Sequence, residues 1–257
     1  MGHEPDRPMW RGQRPWFEAW FAVLLDASRR RSLWVRQTIL VPRQGEGRAT
    51  IWGAWFDADA ERPARAAKRY APLDQAKIGE GEELIRIEDS WMTRSAAAGS
   101  VEGLAWDVAW SGGRHEHAEL PSWLPAPTHA APIAQDADVT GQVTLDGQTF
   151  ELRGRARAAH LWGKRRVPTL HWIWSPWTGD SSLEVLAVSL RDRFALGIAS
   201  LRLDPLDPAD ANGPEGGPWP VALKPGAAPR ARPSPIHGSP ATAAHANCLV
   251  TATVAGA

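Results

Sequence analysis

Short apolar runs separated by clusters of turn residues fill most of this chain and constrain its fold more than any other feature. Residues 104–110 alternate with period two, which places Leu104, Trp106, Val108 and Trp110 on one strand face. Asp146–Gly147 joins two further alternating runs and favours a tight hairpin turn. Roughly nine or ten such runs predict an all-β protein, either a barrel or a sandwich.

Three other segments help to organise the chain. An aromatic run from Trp16, the polar loop DASRRRS and the run LWVRQTILVP predict a first hairpin. Residues 58–69 are rich in Ala, Arg and Lys and predict a short helix. Four prolines between Pro121 and Pro132 are expected to exclude a regular helix or a central strand, and to mark a seam between two halves.

These changes in composition divide the chain into four parts. Residues 1–13 are expected to form a flexible arm, residues 14–125 a first β domain and residues 133–203 a second. Residues 204–257 are dominated by Pro, Gly and Ala, and predict a mostly irregular tail.

Charge, cysteine content and hydropathy restrict the class of protein. The chain of 257 residues holds 29 Lys and Arg against 29 Asp and Glu, so nucleic acid is not an expected partner. The single cysteine, Cys248, cannot form an internal disulfide, and no secretory signal pattern is present, so we expect a cytoplasmic protein. No run is long enough for a transmembrane segment, which leaves peripheral membrane contact open, and the sequence does not fix the oligomeric state.

Tryptophan is unusually frequent, at 15 residues against 5 Phe and 1 Tyr. Broad indole faces suit the lining of a pocket for an extended apolar or conjugated ligand. The alternative is a tryptophan-rich β core that binds nothing.

The sharpest group of chemically useful residues surrounds His160. In a strand, His160 and Trp162 share one face, and Gly163 follows. His160 is a candidate acid or base, or else a core histidine bonded to the backbone. Asp192 and Glu184 are the nearest downstream carboxylates, and each is either a buried proton donor or a solvated strand end.

Other catalytic classes find no support. His115 and His117 form a His-Glu-His triplet without an identifiable third ligand, so no metal site is predicted. The motifs of dinucleotide enzymes, P-loop NTPases and α/β-hydrolases are absent from the sequence.

The order of these pieces resembles a known family. The runs LWVRQTILVP, ATIWGAWFD, IEDSWM, SVEGLAWDVAW and VTLDGQTFELRG, followed by AAHLWG, are similar to the lipocalin-like superfamily. That superfamily includes carotenoid hydratases (hydroxyneurosporene synthases), tocopherol cyclase-like proteins and lipocalin-like Diels–Alderases. The resemblance covers about residues 14–203, and its most specific piece is the His-x-Trp-Gly step at His160–Gly163. It implies two consecutive lipocalin-like β domains. In this chain the Pro, Gly and Ala tail after Leu203 stands where the rest of the second barrel is expected, so we expect the second domain to be truncated or degenerate.

The resemblance also implies an apolar ligand of polyene or isoprenoid type. In a hydratase or cyclase an acid protonates a carbon–carbon double bond, and water or an internal nucleophile captures the cation. We expect His160 and Asp192 to be catalytic, although Leu190 stands where the family pattern has a tyrosine. The expected ligand walls are Trp52, Trp106, Trp110, Trp162, Trp172 and Trp174. No cofactor is implied. A non-catalytic binder or carrier on the same fold is the alternative, and a scaffold without a ligand is the third possibility.

Overall fold

The structure is a computed structural model that describes residues 7–61, 64–113, 128–164, 169–176, 182–190, 194–202 and 250–253, with side chains up to residue 164. Eleven strands form one antiparallel sheet: β1 (Trp16–Asp26), β2 (Arg31–Val41), β3 (Arg48–Asp57), β4 (Ala64–Pro72), β5 (Ala76–Ile78), β6 (Glu83–Ile87), β7 (Ser90–Thr93), β8 (Ala96–Val101), β9 (Leu104–Ser111), β10 (Thr128–Leu145) and β11 (Gln148–Gly163). A second sheet contains β12 (Thr169–Pro176), β13 (Ser182–Leu190), β14 (Phe194–Arg202) and β15 (Val250–Thr253). The all-β prediction is confirmed.

The large sheet curls into a nearly closed barrel with the order β4-β3-β2-β1-β11-β10-β9-β8-β7-β6-β5. Gly53 of β3 faces Trp106 of β9 across the interior: a Cβ atom on Gly53 would lie 2.9 Å from Trp106 Cζ3. The end strands β4 and β5 are joined by a 3-10 turn, Leu73–Gln75. Arg69 of β4 forms ion pairs with Glu88 and Asp89, which lie between β6 and β7. These ion pairs cross the seam between the two ends of the sheet.

Large apolar side chains line the barrel interior. Strand β9 confirms the period-two prediction, because its four predicted inner residues are buried and the alternate ones are half-buried or exposed. Burying each large apolar side chain contributes roughly 1.5–3 kcal/mol. The largest fully buried side chains include Trp20, Leu24, Leu33, Ile39, Ile51, Ile85, Ile87, Met92, Leu104, Ile133 and Leu152.

Strand β1 is buried on both of its faces. Its inner face joins the barrel core through Trp16, Trp20 and Leu24. Its outer residues, which include Phe17 and Phe21, belong to a second buried cluster. Two-sided burial explains why this strand is a continuous apolar run and not an alternating one.

Both predicted hairpins are confirmed. Strands β1 and β2 pair from Trp16 with Val41 to Asp26 with Arg31. Strands β10 and β11 turn at Asp146 and Gly147, whose φ angles of +49° and +88° match a turn that needs positive φ at both central residues.

The predicted helix at residues 58–69 is wrong. Ala64–Pro72 is strand β4, and it pairs with β3 along its length. The composition of Ala, Arg and Lys favours a helix only as an isolated segment. At the end of the sheet, the unpaired edge of β3 supplies hydrogen-bond partners that outweigh this weak preference.

The prediction that the proline segment excludes a central strand is also wrong at Pro132. Strand β10 runs through this residue and lies between β9 and β11 in the sheet. However, β10 pairs with β9 only from Asp138 onward, and its register with β11 shifts between Pro132 and Ala134. Near Pro132, β10 is bulged and pairs with β11 but not with β9 in the described residues. A residue without a backbone N–H is therefore accommodated there.

The large sheet crosses the boundary predicted between residues 125 and 133, because β10 and β11 pair with β9 and β1. Strands β12, β13 and β14 form the second sheet with β15, which is the described part of the predicted tail. The division into two lipocalin-like domains stays a prediction. No helix in the described residues is long and apolar enough to cross a membrane.

A larger side chain at Gly53 should strain the barrel interior. In Gly53→Val the new atoms would meet Trp106 at 2.9 Å, Leu104 at 3.0 Å and Val101 at 3.1 Å. We expect a loss of about 1–3 kcal/mol in the free energy of unfolding, measured by urea denaturation. Ala66→Val on exposed β4 is the control and should change stability little; equal effects of the two variants would contradict the packing described.

The seam ion pair predicts a pH dependence. Burial raises the pKa of Asp89, but hydrogen bonding and the charge of Arg69, helped by Ser100, outweigh it and hold the pKa below its ordinary value. The pair therefore stabilises the fold at neutral pH, and this contribution is lost as the pH falls through the lowered pKa. Asp89→Asn should cost up to about 1 kcal/mol near neutral pH and progressively less in acid, measured by thermal unfolding. In an Arg69→Gln background this pH-dependent difference should shrink, and its persistence would show that Arg69 is not the cause.

Candidate functional site

A buried titratable pair lies inside the barrel, where β1 and β11 meet. Glu18 and His160 are both fully buried, and His160 Nε2 lies 2.8 Å from Glu18 Oε1. The register places Trp20 opposite His160 and Glu18 opposite Trp162. Glu18 and His160 are therefore diagonal neighbours on one face of an antiparallel pair, a separation that long side chains can span.

Three further donors complete the environment of Glu18. The indole Nε1 of Trp16 donates to Oε2 at 2.8 Å. The backbone N–H groups of Met9 and Trp10 donate to Oε1 and Oε2 at 2.6 and 2.8 Å. A buried carboxylate is costly unless it is paired and hydrogen-bonded, and these contacts meet that requirement. They also attach Met9 and Trp10, which lie in the segment expected to be a flexible arm, to the barrel.

Aromatic rings enclose His160 on both sides. Its ring centroid lies 4.9 Å from that of Trp20, nearly parallel at 6°, and 4.6 Å from that of Trp162. His129 stacks on Trp162 at 5.7 Å, so the four rings form a continuous stack. The stack leads from fully buried Trp20 and His160 to half-buried Trp162 and His129. Indole faces attract cations, so Trp20 and Trp162 offer surfaces on which a positively charged group is stabilised.

Some buried polar atoms of the sheet have no hydrogen-bond partner among the described residues. They include the indole N–H of Trp20, which stacks on His160, the side-chain carbonyl of Gln37 and, on β9, the indole N–H of Trp106. Trp20 and Gln37 are directly opposite each other on β1 and β2. An unsatisfied buried polar group costs about 1–3 kcal/mol, so a ligand that hydrogen-bonds to either atom would recover that cost.

The structure brings together some of the predicted site residues. Trp162 lies beside His160. Trp106 and Trp110 lie on the buried face of β9 in the same barrel core, and Trp110 Nε1 donates to the carbonyl of Arg94. Trp52 is half-buried on the other face of β3 from Gly53, and it contacts Trp34 and Lys68.

The remaining predicted residues lie in the second half of the chain. Trp172 and Trp174 share one face of β12, and their side chains lie outside the described residues. Asp192 also lies outside the described residues, as do His115 and His117. Within the described part of the chain, no three His, Cys, Asp or Glu side chains come together as a metal site requires.

Sequence analysis missed Glu18, which is the partner of His160. A signal was present: Glu18 is the single acidic residue within the apolar run WFEAWFAVLL, at the same strand phase as Trp16 and Trp20. A carboxylate on the inner face of a strand requires a partner elsewhere in the core.

Comparisons with known proteins show the fold. No family model and no curated protein matches the chain. A solved structure from Nitrosomonas europaea, of a protein provisionally named AttH, matches with a TM-score of 0.56 and 14% sequence identity. The match covers 72% of this chain and 65% of that one, which is just under two thirds of its length. The chain thus has a lipocalin-like β-barrel fold.

The buried pair should be strongly coupled in a double-mutant cycle. Glu18→Gln or His160→Gln alone leaves the other member of the pair buried without its charged partner. Each should lower the free energy of unfolding by about 3–5 kcal/mol. The double variant should cost clearly less than the sum, as measured by urea unfolding. The exposed pair Arg30–Asp59, at 2.9 Å, is the control and should show a coupling of about 1 kcal/mol or less. A coupling at Glu18–His160 no larger than the control would contradict this account.

Proposed function

We propose that this protein binds an apolar polyene or isoprenoid-type ligand and protonates one of its carbon–carbon double bonds, as a carotenoid hydratase or a cyclase does. The observation that carries the proposal is the position of His160, between Trp20 and Trp162 with Glu18 on its Nε2 atom. This arrangement combines a proton carrier, a counter-charge and aromatic surfaces in an apolar interior.

The chemistry follows from these groups. Protonated His160 gives its proton to one alkene carbon, whose new C–H bond takes the π electrons and leaves a cation on the other carbon. Indole faces stabilise such a cation by about 0.5–2 kcal/mol each. Water then adds to the cation, and the proton that it releases returns to the imidazole; in a cyclase an internal nucleophile replaces water. Glu18 orients the imidazole and balances its charge.

The fold supports the same ligand class. Barrels of this size hold a small apolar ligand among inward side chains. In this proposal Trp106, Trp110 and Trp162 contribute ligand surface, together with Trp172 and Trp174 from β12. Asp192 remains a proposed second acid. Trp52 contacts the ligand in this proposal only if the ligand extends to the outer face of β3. No cofactor takes part in the proposed reaction.

A non-catalytic binder or carrier is the second candidate. One observation favours it: Glu18 and His160 are fully buried, and both carboxylate oxygens already accept two hydrogen bonds each. Such a pair serves equally well to fix the register of β1 and β11. The two candidates share the apolar ligand and differ in whether it is converted.

Ligand binding is tested by tryptophan fluorescence. Titration with a retinoid, a prenylated quinol and a carotenoid precursor should give saturable quenching by at least one of them. Trp162→Ala should weaken that affinity, because the variant removes the half-buried indole next to His160. Trp91→Ala, at a half-buried position on β7, is the matched control and should not change it. No quenching by any of the three probes would contradict the proposed ligand class.

Catalysis is tested by product analysis of whichever probe binds. His160→Gln should retain binding and lower turnover by roughly 10²–10⁴-fold, the usual contribution of a general acid. Asp192→Asn tests the second proposed acid in the same assay. Unchanged turnover in His160→Gln would remove the acid role, and saturable binding without any turnover in the wild-type protein would establish the carrier.

A further inference from the structure

Positive charge is concentrated on three neighbouring strands. The chain as a whole holds equal numbers of basic and acidic residues. In contrast, strands β2, β3 and β4 carry six basic residues, Arg31, Arg36, Arg48, Arg65, Lys68 and Arg69, and one acidic residue, Asp57. Arg31 is paired with Asp57, Arg69 is paired with Glu88 and Asp89, and Arg36 is buried. The exposed cations of these strands are therefore Arg48, Arg65 and Lys68.

Aromatic rings are interleaved with two of these cations. Lys68 Nζ lies 5.0 Å from the ring centroid of Trp52 and 5.2 Å from that of Tyr70. The guanidinium of Arg48 lies 5.1 Å from the Tyr70 ring, and Trp34 meets Trp52 edge-on at 6.3 Å. These five residues, Trp34, Arg48, Trp52, Lys68 and Tyr70, form what we call the basic aromatic patch.

The basic aromatic patch is partly exposed to solvent, with Trp34 and Trp52 half-buried at its base. Tyr70 is 51% exposed, and Phe56, on the same face of β3 as Trp52, is 39% exposed. Arg48 and Lys68 are exposed as well. The positive surroundings also act on the phenol: hydrogen bonding to Lys68 and the charges of Lys68 and Arg48 lower the pKa of Tyr70.

We propose that the basic aromatic patch docks this protein on the surface of an anionic lipid bilayer. Lys and Arg side chains close to such a surface are attracted by its negative potential. Trp and Tyr rings are enriched at the level of lipid headgroups, where one edge is apolar and the other is hydrated. Exposed cations and aromatic rings that alternate on one sheet face satisfy both requirements.

Other occupants fit the patch less well. A second copy of this chain would place like charges against each other. A nucleic-acid strand is held by a row of phosphate contacts, and the patch supplies two exposed cations, Arg48 and Lys68. The inference stands on this surface alone and does not depend on the ligand or the chemistry proposed for the barrel interior.

The test is flotation of the full chain with lipid vesicles. Vesicles of phosphatidylcholine mixed with phosphatidylglycerol should bind the protein, and vesicles of phosphatidylcholine alone should bind it much less. Added salt should weaken the binding, because it screens the charges. Lys68→Gln and Arg48→Gln should each reduce the affinity about fivefold, the fold-change that corresponds to one basic residue at an anionic surface.

Two controls keep the test decisive. Lys77→Gln removes another exposed lysine, on β5 and outside the patch, and should leave vesicle binding unchanged. Circular dichroism should show all three variants folded, since the altered side chains are exposed. Absence of vesicle binding, equal loss in Lys77→Gln, or binding of a single-stranded oligonucleotide in preference to anionic vesicles would each overturn the proposal.

Discussion

The structure depends on the burial of one carboxylate. Glu18 has no solvent exposure, and an uncompensated charge in such a position would cost several kcal/mol. Its hydrogen-bond donors come from the N-terminal segment, from β1 and from β11. The hydrogen bonds to the Glu18 carboxylate therefore fix three features together: the position of Met9 and Trp10 on the barrel, the register of β1 with β11, and the orientation of the His160 ring.

The same region is the most completely enclosed part of the sheet. Strand β1 is buried on both faces, so its side chains have little freedom to rearrange. A proton carrier packed against such a strand, as His160 of β11 is, is pre-organised, which is what acid catalysis on an apolar ligand would require. The basic aromatic patch lies on the outer face of neighbouring β2–β4, so membrane docking and barrel chemistry would use opposite sides of one sheet.

Local features of the sequence predicted much of the fold. The two hairpins and the buried face of β9 follow from turn chemistry and period-two alternation, which involve residues close together in the chain. The β4 segment was misassigned because its composition favours a helix, whereas pairing with β3 decides its structure. The prediction that Pro132 excludes a central strand was wrong because β10 is bulged there and pairs with β11 alone in the described residues. No local sequence pattern reveals either feature. In the site, His160 and Trp162 were predicted from their spacing, but Glu18 lies 142 residues away and only the strand register brings it to His160.

The most direct test of the central claim, that the ligand lies against His160, is nitrogen NMR of the histidine side chains during ligand titration. The His160 signals are identified by their loss in His160→Gln. The account predicts that these signals shift in step with the quenching of tryptophan fluorescence, because a ligand bound against His160 and Trp162 changes the surroundings of both rings. Saturable quenching with unchanged His160 signals would place the ligand elsewhere and contradict the account.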